Sequence, residues 1–173
     1  PGGNITGIAQ ITGSELIGKQ LEFLRQIAPA ATRLAWITNS DELLPKYAAV
    51  WARIDAEARG LGFELSRYAV DRSEDFDQAF AAMLAARTQA IALVSIPLAL
   101  LERTRIVEFA KRNRLPSAFG HKDYALAGGL LSYALNVPAT MRQSADYIDK
   151  IFRGARPGDL PVVQPDKYEL VIN

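Results

Sequence analysis

The sequence predicts an α/β fold: a three-layer, Rossmann-like (flavodoxin-like) lobe with a five-stranded parallel sheet between helices. Three observations predict it. Short apolar runs at residues 33–38, 91–96 and 117–120 read as strands buried on both faces. Stretches with apolar residues at helical spacing separate them. The connectors are short and carry Gly, Pro, Asn and Asp. Strand–helix alternation of this kind belongs to a doubly wound sheet, and the expected order is 2-1-3-4-5, counted from residues 34–38.

The elements follow in chain order. Gly2, Gly3 and Gly7 flank a short extended run, 5–10, too poor in apolar residues for a core strand. Thr12-Gly13-Ser14-Glu15 has the T-x-x-E form of a capping box, and Ile17, Leu21, Leu24 and Ala28 follow at helical spacing until Pro29. After the strand at 33–38, Asn39-Ser40-Asp41 breaks the run, and a helix is expected over 45–59, stopped by Gly60. Residues 63–70 alternate only in part and read as a strand nearer an edge. Ser73 is the expected cap of the next helix, with Glu74 and Asp75 in its first turn and Phe76, Phe80 and Leu84 as its buried stripe.

Residues 91–96 make the most apolar strand, expected at the centre. Pro97 turns the chain into a helix over 98–113 with Ile106, Phe109 and Ala110 on one face. Strands at 117–120 and 129–134 are joined by a polar turn, one helical turn at 124–127 and Gly128-Gly129, a tight turn. A last amphipathic helix covers 138–153 with Met141, Ala145, Ile148 and Phe152 inward. A Pro-punctuated connector then leads to a terminal strand over 168–173.

Composition limits the function classes. A chain of 173 residues is long enough for one domain with a real core, and 49% hydrophobic with 23% charged residues excludes disorder as its main state. The net charge of +1, with acids and bases interspersed, offers no basic face, so no nucleic-acid partner is expected. Without cysteine there is no disulfide scaffold, thiol catalysis or cysteine metal site. No apolar run is long enough to span a bilayer. The chain begins at Pro1 on PGGNITG, which reads as the interior of a longer protein, so a missing leader says nothing against export.

Catalytic constellations are thin. His121 is the only histidine, so no metal site is expected; it reads either as an ordinary turn histidine or as a ligand contact. Ser95 sits in VSIP and Ser132 in LLSYA, and neither is a G-x-S-x-G elbow. The opening glycines lack G-x-G-x-x-G spacing, and no Walker-type lysine follows them. A phosphoacceptor receiver domain would share the sheet order, but its acidic pair, aspartate and lysine are missing from the strand ends. No enzyme activity and no cofactor are expected.

What remains is a set of polar groups at strand carboxyl ends: Asn39 after the first, Ser95 at the third, His121 and Asp123 after the fourth, Tyr133 and Asn136 at the fifth. In open α/β sheets ligands gather at such ends, and groups of this kind orient a small molecule by hydrogen bonds. Asp123 either pairs with a ligand ammonium or caps the short helix that follows.

PGGNITG at the start, KQLEFLRQIAPAATRLAWITN, LPSAFGHKDYALAGGLLSYALN and the closing DLPVVQPDKYELVIN resemble the substrate-binding proteins of ABC transporters, in order and over the whole chain. The resemblance is to the subgroup described as tryptophan/tyrosine-type uptake binding proteins. It implies a type I periplasmic-binding fold, in which two α/β lobes hinge shut on a small-molecule ligand. This chain then corresponds to the second lobe: 1–13 an incoming hinge segment, 14–160 the ligand-binding lobe, 161–173 an outgoing hinge strand.

The implied partners are the missing first lobe of the same protein and an ABC transporter permease, and the implied location is periplasmic or otherwise extracytoplasmic. The implied ligand is a small molecule, with an amino acid among the candidates. Lys122-Asp123 and Ala134-Leu135 depart from the pattern of such relatives on the rim, so the ligand can differ from the aromatic amino acids that name the subgroup. A ligand-sensing domain of the same fold, joined to a regulator or sensor kinase, is the alternative.

Overall fold

Strand β1 (Arg33–Thr38) pairs in parallel with β2 (Glu64–Ala69) on one side and with β3 (Ala90–Leu93) on the other. Strands β4 (Ser117–Phe119) and β5 (Leu131–Leu135) extend the parallel run beyond β3. The structure is a computed structural model that describes residues 3–9, 14–94, 96–165 and 167–173. The order β2-β1-β3-β4-β5 is the expected one, and a sixth strand, β6 (Tyr168–Ile172), lies beyond β5. The expected five-stranded sheet is therefore corrected to six strands within the same fold class. β6 runs against β5: Asn173 N–H donates to the Leu130 carbonyl, and Asn136 N–H to the Lys167 carbonyl. A sheet edge recruits such a strand through backbone bonds alone, which is why residue patterning did not reveal its place.

The chain divides into a larger unit, Gly13–Ala134 with Leu170–Asn173, and a smaller one, Pro1–Thr12 with Leu135–Glu169. In the larger unit the period-2 alternation of strand side chains feeds two cores. Leu34 and Trp36 of β1, Ala90 and Ala92 of β3, and Ala118 of β4 face helices α1 (Ser14–Ile27) and α2 (Ala48–Gly60), where Leu21, Leu24, Ile54 and Ala58 meet them. Three alanines on this face let α1 approach closely, and the indole of Trp36 fills the remaining space. Ala35, Ile37, Ile91, Leu93 and Phe119 point the other way, into α3 (Asp75–Ala85), α4 (Pro97–Leu101), α5 (Arg103–Arg112) and α6 (Lys122–Leu126). Each large apolar side chain buried this way stabilises the fold by about 1.5–3 kcal/mol over leaving it in water.

Several local expectations change. The T-x-x-E cap at Thr12 lies outside the described residues. Ser73 does not cap α3; its hydroxyl donates to the Glu102 carboxylate at 2.6 Å, and the residue before the helix is Glu74. The third member of the α3 stripe is Met83, fully buried, while Leu84 is half exposed. The expected helix over 98–113 breaks at Glu102 into α4 and α5. Residues 45–47 form a separate 3-10 turn before α2.

In the smaller unit, α7 (Val137–Phe152) is capped by Asn136, whose side-chain oxygen accepts from Ala139 N–H at 3.0 Å. Pro138 falls in its first turn, where a missing N–H does no harm. The residues expected to face inward from it, Met141, Ala145, Ile148 and Phe152, are exposed, and Thr140 is the buried one. Incoming residues 6–9 lie along the connector: Ile8 forms a parallel bridge with Val163, Ala9 N–H donates to the Val163 carbonyl at 2.8 Å, and the Thr6 hydroxyl donates to the Leu160 carbonyl at 2.8 Å.

Candidate functional site

In the order β2-β1-β3-β4-β5 the chain leaves β1 toward one edge and returns on its other side. The switch point therefore lies at the carboxyl ends of β1 and β3, where this class of sheet opens a crevice. The loop after β1 is built in detail. Asn39 Oδ1 accepts from the Glu42 N–H at 2.9 Å, the Glu42 carbonyl accepts from Trp51 Nε1–H, and the buried Thr38 hydroxyl donates to the Glu42 carboxylate. Trp51 is itself held edge-on to Trp36 at 5.9 Å, with the Arg67 guanidinium 4.4 Å from its ring.

A second tie closes the loop. The Ser40 N–H and hydroxyl both donate to the Asp71 carboxylate, which holds Asp71 below its ordinary carboxylate range. Asp75 is lowered likewise, by the N–H groups of Asp71 and Arg72, each 2.9 Å from its Oδ2.

Two strands along, Gly120 N–H donates to the Leu93 carbonyl and the chain turns into α6. His121 is the cap: its Nδ1 accepts from Asp123 N–H at 3.3 Å. A neutral imidazole that accepts at Nδ1 carries its proton on Nε2, so a donor is left on this rim. Asp123 does not cap the helix by its side chain; its Oδ1 lies 3.6 Å from His121 Nδ1. Behind the turn, Tyr124 stacks on Phe119 with ring centroids 4.6 Å apart.

The structure thus brings Asn39, His121 and Asp123 to the carboxyl edge of one sheet. Tyr133 lies in β5, its ring edge-on to Phe23 of α1 at 5.4 Å, and its carbonyl accepts from the buried Gln20 side chain at 2.8 Å. Asn136 belongs to the smaller unit and caps α7. Ser95 lies outside the described residues. Reading the sequence missed Glu42, although Asn39-x-x-Glu42 repeats the cap-plus-glutamate spacing that singled out Thr12 and Glu15.

Two depressions of about 290 Å³ are lined by other residues. One, in the smaller unit, is lined by Thr140, Arg142, Gln143, Asp146, Pro165 and Lys167 among others. The other lies at the amino-terminal ends of β4 and β5, beside Lys111, Arg114 and Ser117. Among the described residues no group of three or more His, Asp or Glu side chains is placed to hold a metal ion. No described helix is long and apolar enough to cross a membrane.

Comparison with known proteins gives a consistent result. A family model described as ABC transporter substrate binding protein matches residues 1–173. A tyrosine-binding protein of Clostridioides difficile is 21% identical over 179 residues, covering 100% of this chain and 48% of that protein. A Streptococcus pneumoniae ABC domain solved in complex with L-Trp superposes with a TM-score of 0.79 at 20% identity, over 100% of this chain and 58% of the other. A conserved domain protein from Vibrio cholerae gives a TM-score of 0.79 at 21% identity, over 98% of this chain and 55% of the other. The chain therefore spans about half the length of these relatives, and the solved structures match it in fold.

Proposed function

The chain belongs to the ABC transporter substrate binding protein family, and from that premise we propose that it is one lobe of a solute-binding component that captures an amino acid for an importer. The observation that carries this reading is the carboxyl edge of the sheet. There Asn39 and His121, each with one polar atom committed to the local turn, keep a second one for a ligand: the Asn39 amide N–H groups and the His121 Nε2–H. Either donor suits an oxygen of a ligand carboxylate, and Asp123 lies beside His121 on the same rim. Tyr133 is a further proposed contact in the larger unit, and Asn136 and Ser95 are proposed as contacts from their sequence positions after strands.

An open rim supplies half of the contacts of a cleft that closes around its ligand. The other half would come from a first lobe, with 1–13 and 161–173 as the hinge segments between lobes. The bridge between Ile8 and Val163 supports that role, since it ties the two runs together. The known binders of tyrosine and tryptophan among the relatives support the amino-acid class. A permease partner, an extracytoplasmic location and a binding rather than catalytic role go with the family.

The test is a thermal-shift screen of the full-length protein against the amino acids and small carboxylates. A rise in Tm confined to amino acids supports the reading, because a ligand that binds only the folded state raises stability by mass action. Stabilisation by sugars or by no small molecule would contradict it. Where the upstream chain carries a DNA-binding or kinase segment in place of a leader, the same lobe serves sensing instead of transport.

A further inference from the structure

We propose that Glu42, in the loop after β1, is the group that takes the ligand's ammonium, so that this carboxylate selects amino acids over acids lacking the amine. The proposal rests on the amino-acid reading above and deepens it. Glu42 sits at the switch point, its backbone held on both sides by Asn39 and Trp51 Nε1–H. Its carboxylate is only partly buried and takes one neutral donor, the Thr38 hydroxyl. Among the described residues no Lys, Arg or His side chain pairs with it. A carboxylate has about four lone-pair sites, so one accepted hydroxyl leaves capacity for an ammonium.

Asp123 is the competitor and is placed less well. Its strand, β4, is separated from β1 by β3, so the two strand ends stand two strand spacings, about 10 Å, apart. Asp123 already faces the His121 ring, its Oδ1 3.6 Å from Nδ1. Glu42 stands in the first turn of a 3-10 helix over Asp41–Leu43, and among the described residues no imidazole pairs with it. The plainer role for Glu42 is to satisfy the buried Thr38 hydroxyl, and the Glu42→Gln change separates the two. A glutamine oxygen still accepts from Thr38, whereas the charge an ammonium needs is gone.

The experiment is calorimetry on the full-length protein with L-tyrosine and L-leucine, each beside its desamino acid, for wild type, Glu42→Gln and Asp123→Asn. Wild type should prefer the amino acid. Glu42→Gln should weaken amino-acid binding by about ten- to a hundredfold, leave the desamino acid unchanged and leave the ligand-free Tm unchanged. Asp123→Asn should keep the preference. A Glu42→Gln protein that retains the preference, or an Asp123→Asn protein that loses it, overturns the assignment while amino-acid binding stands. Wild type binding the desamino acids equally well would overturn it too, leaving a carboxylate-binding lobe. Wild type binding none of these compounds would overturn the amino-acid reading along with it.

Discussion

Gly129 lies so close to the Phe119 ring that a Cβ on it would come 2.6 Å from Phe119 Cε2, and 2.8 Å from the Tyr124 carbonyl oxygen. Phe119 is the last residue of β4 and stacks on Tyr124, so the same contact fixes the turn that carries His121 and Asp123. The rim is held from beneath by packed rings and one missing side chain.

Gly129→Ala should therefore cost about 1–3 kcal/mol, the range for forcing extra volume into a packed core. Gly60→Ala should do the reverse. It ends α2 with nothing within 4 Å of the added carbon, and gains about 0.5–1 kcal/mol from the better helix former. Urea unfolding of both variants checks the pair; equal midpoints would show that Gly129 is not sterically required.

Tyr124 is buried with its hydroxyl unpartnered among the described residues, and burial pushes its phenol well above the ordinary 10.0. Tyr124→Phe keeps the stack on Phe119 and removes a desolvated hydroxyl. It should leave stability unchanged or raise it by about 1 kcal/mol. A clear loss in denaturant midpoint would mean that the hydroxyl has a partner in solution.

The tie between Ser40 and Asp71 has a defined pH window. Because Asp71 is lowered from 3.8 when folded, its bond to Ser40 contributes in full above that value and is lost as pH falls through the lowered one. Ser40→Ala should return Asp71 toward 3.8 in a carbon-detected NMR titration. The stability difference between wild type and Ser40→Ala should shrink as pH falls below 3.8. An Asp71 titration that ignores the substitution would show that the loop is anchored otherwise.

The parts of this fold that were legible in the sequence are those fixed by burial on both faces. β1 and β3 are continuous apolar runs because helices cover both sides of them, and β2 alternates only in part because it lies at the edge of the sheet. What depends on a partner far along the chain was not legible. Ser73 has the right residue type for a cap, but Glu102, twenty-nine positions away, takes its hydroxyl. Met141, Ile148 and Phe152 keep helical spacing, yet spacing does not say that anything covers them, and here they are exposed. The rim follows the same division. That polar residues stand after strand ends could be read directly. That Asn39, His121 and Asn136 each give one atom to a turn or helix depends on how the loops fold back.

On the reading proposed above, this chain supplies half of a cleft that binds an amino acid. Side-by-side calorimetry of the full-length protein and the isolated 173-residue chain tests it most directly. A micromolar site is worth about 8 kcal/mol, and half of that leaves a dissociation constant of about 1 mM. The expected result is 1:1 binding of an amino acid by the full-length protein, with the isolated chain folded but at best millimolar. Equal, tight binding by the isolated chain, or no amino-acid binding by the full-length protein, would contradict a cleft shared between two lobes.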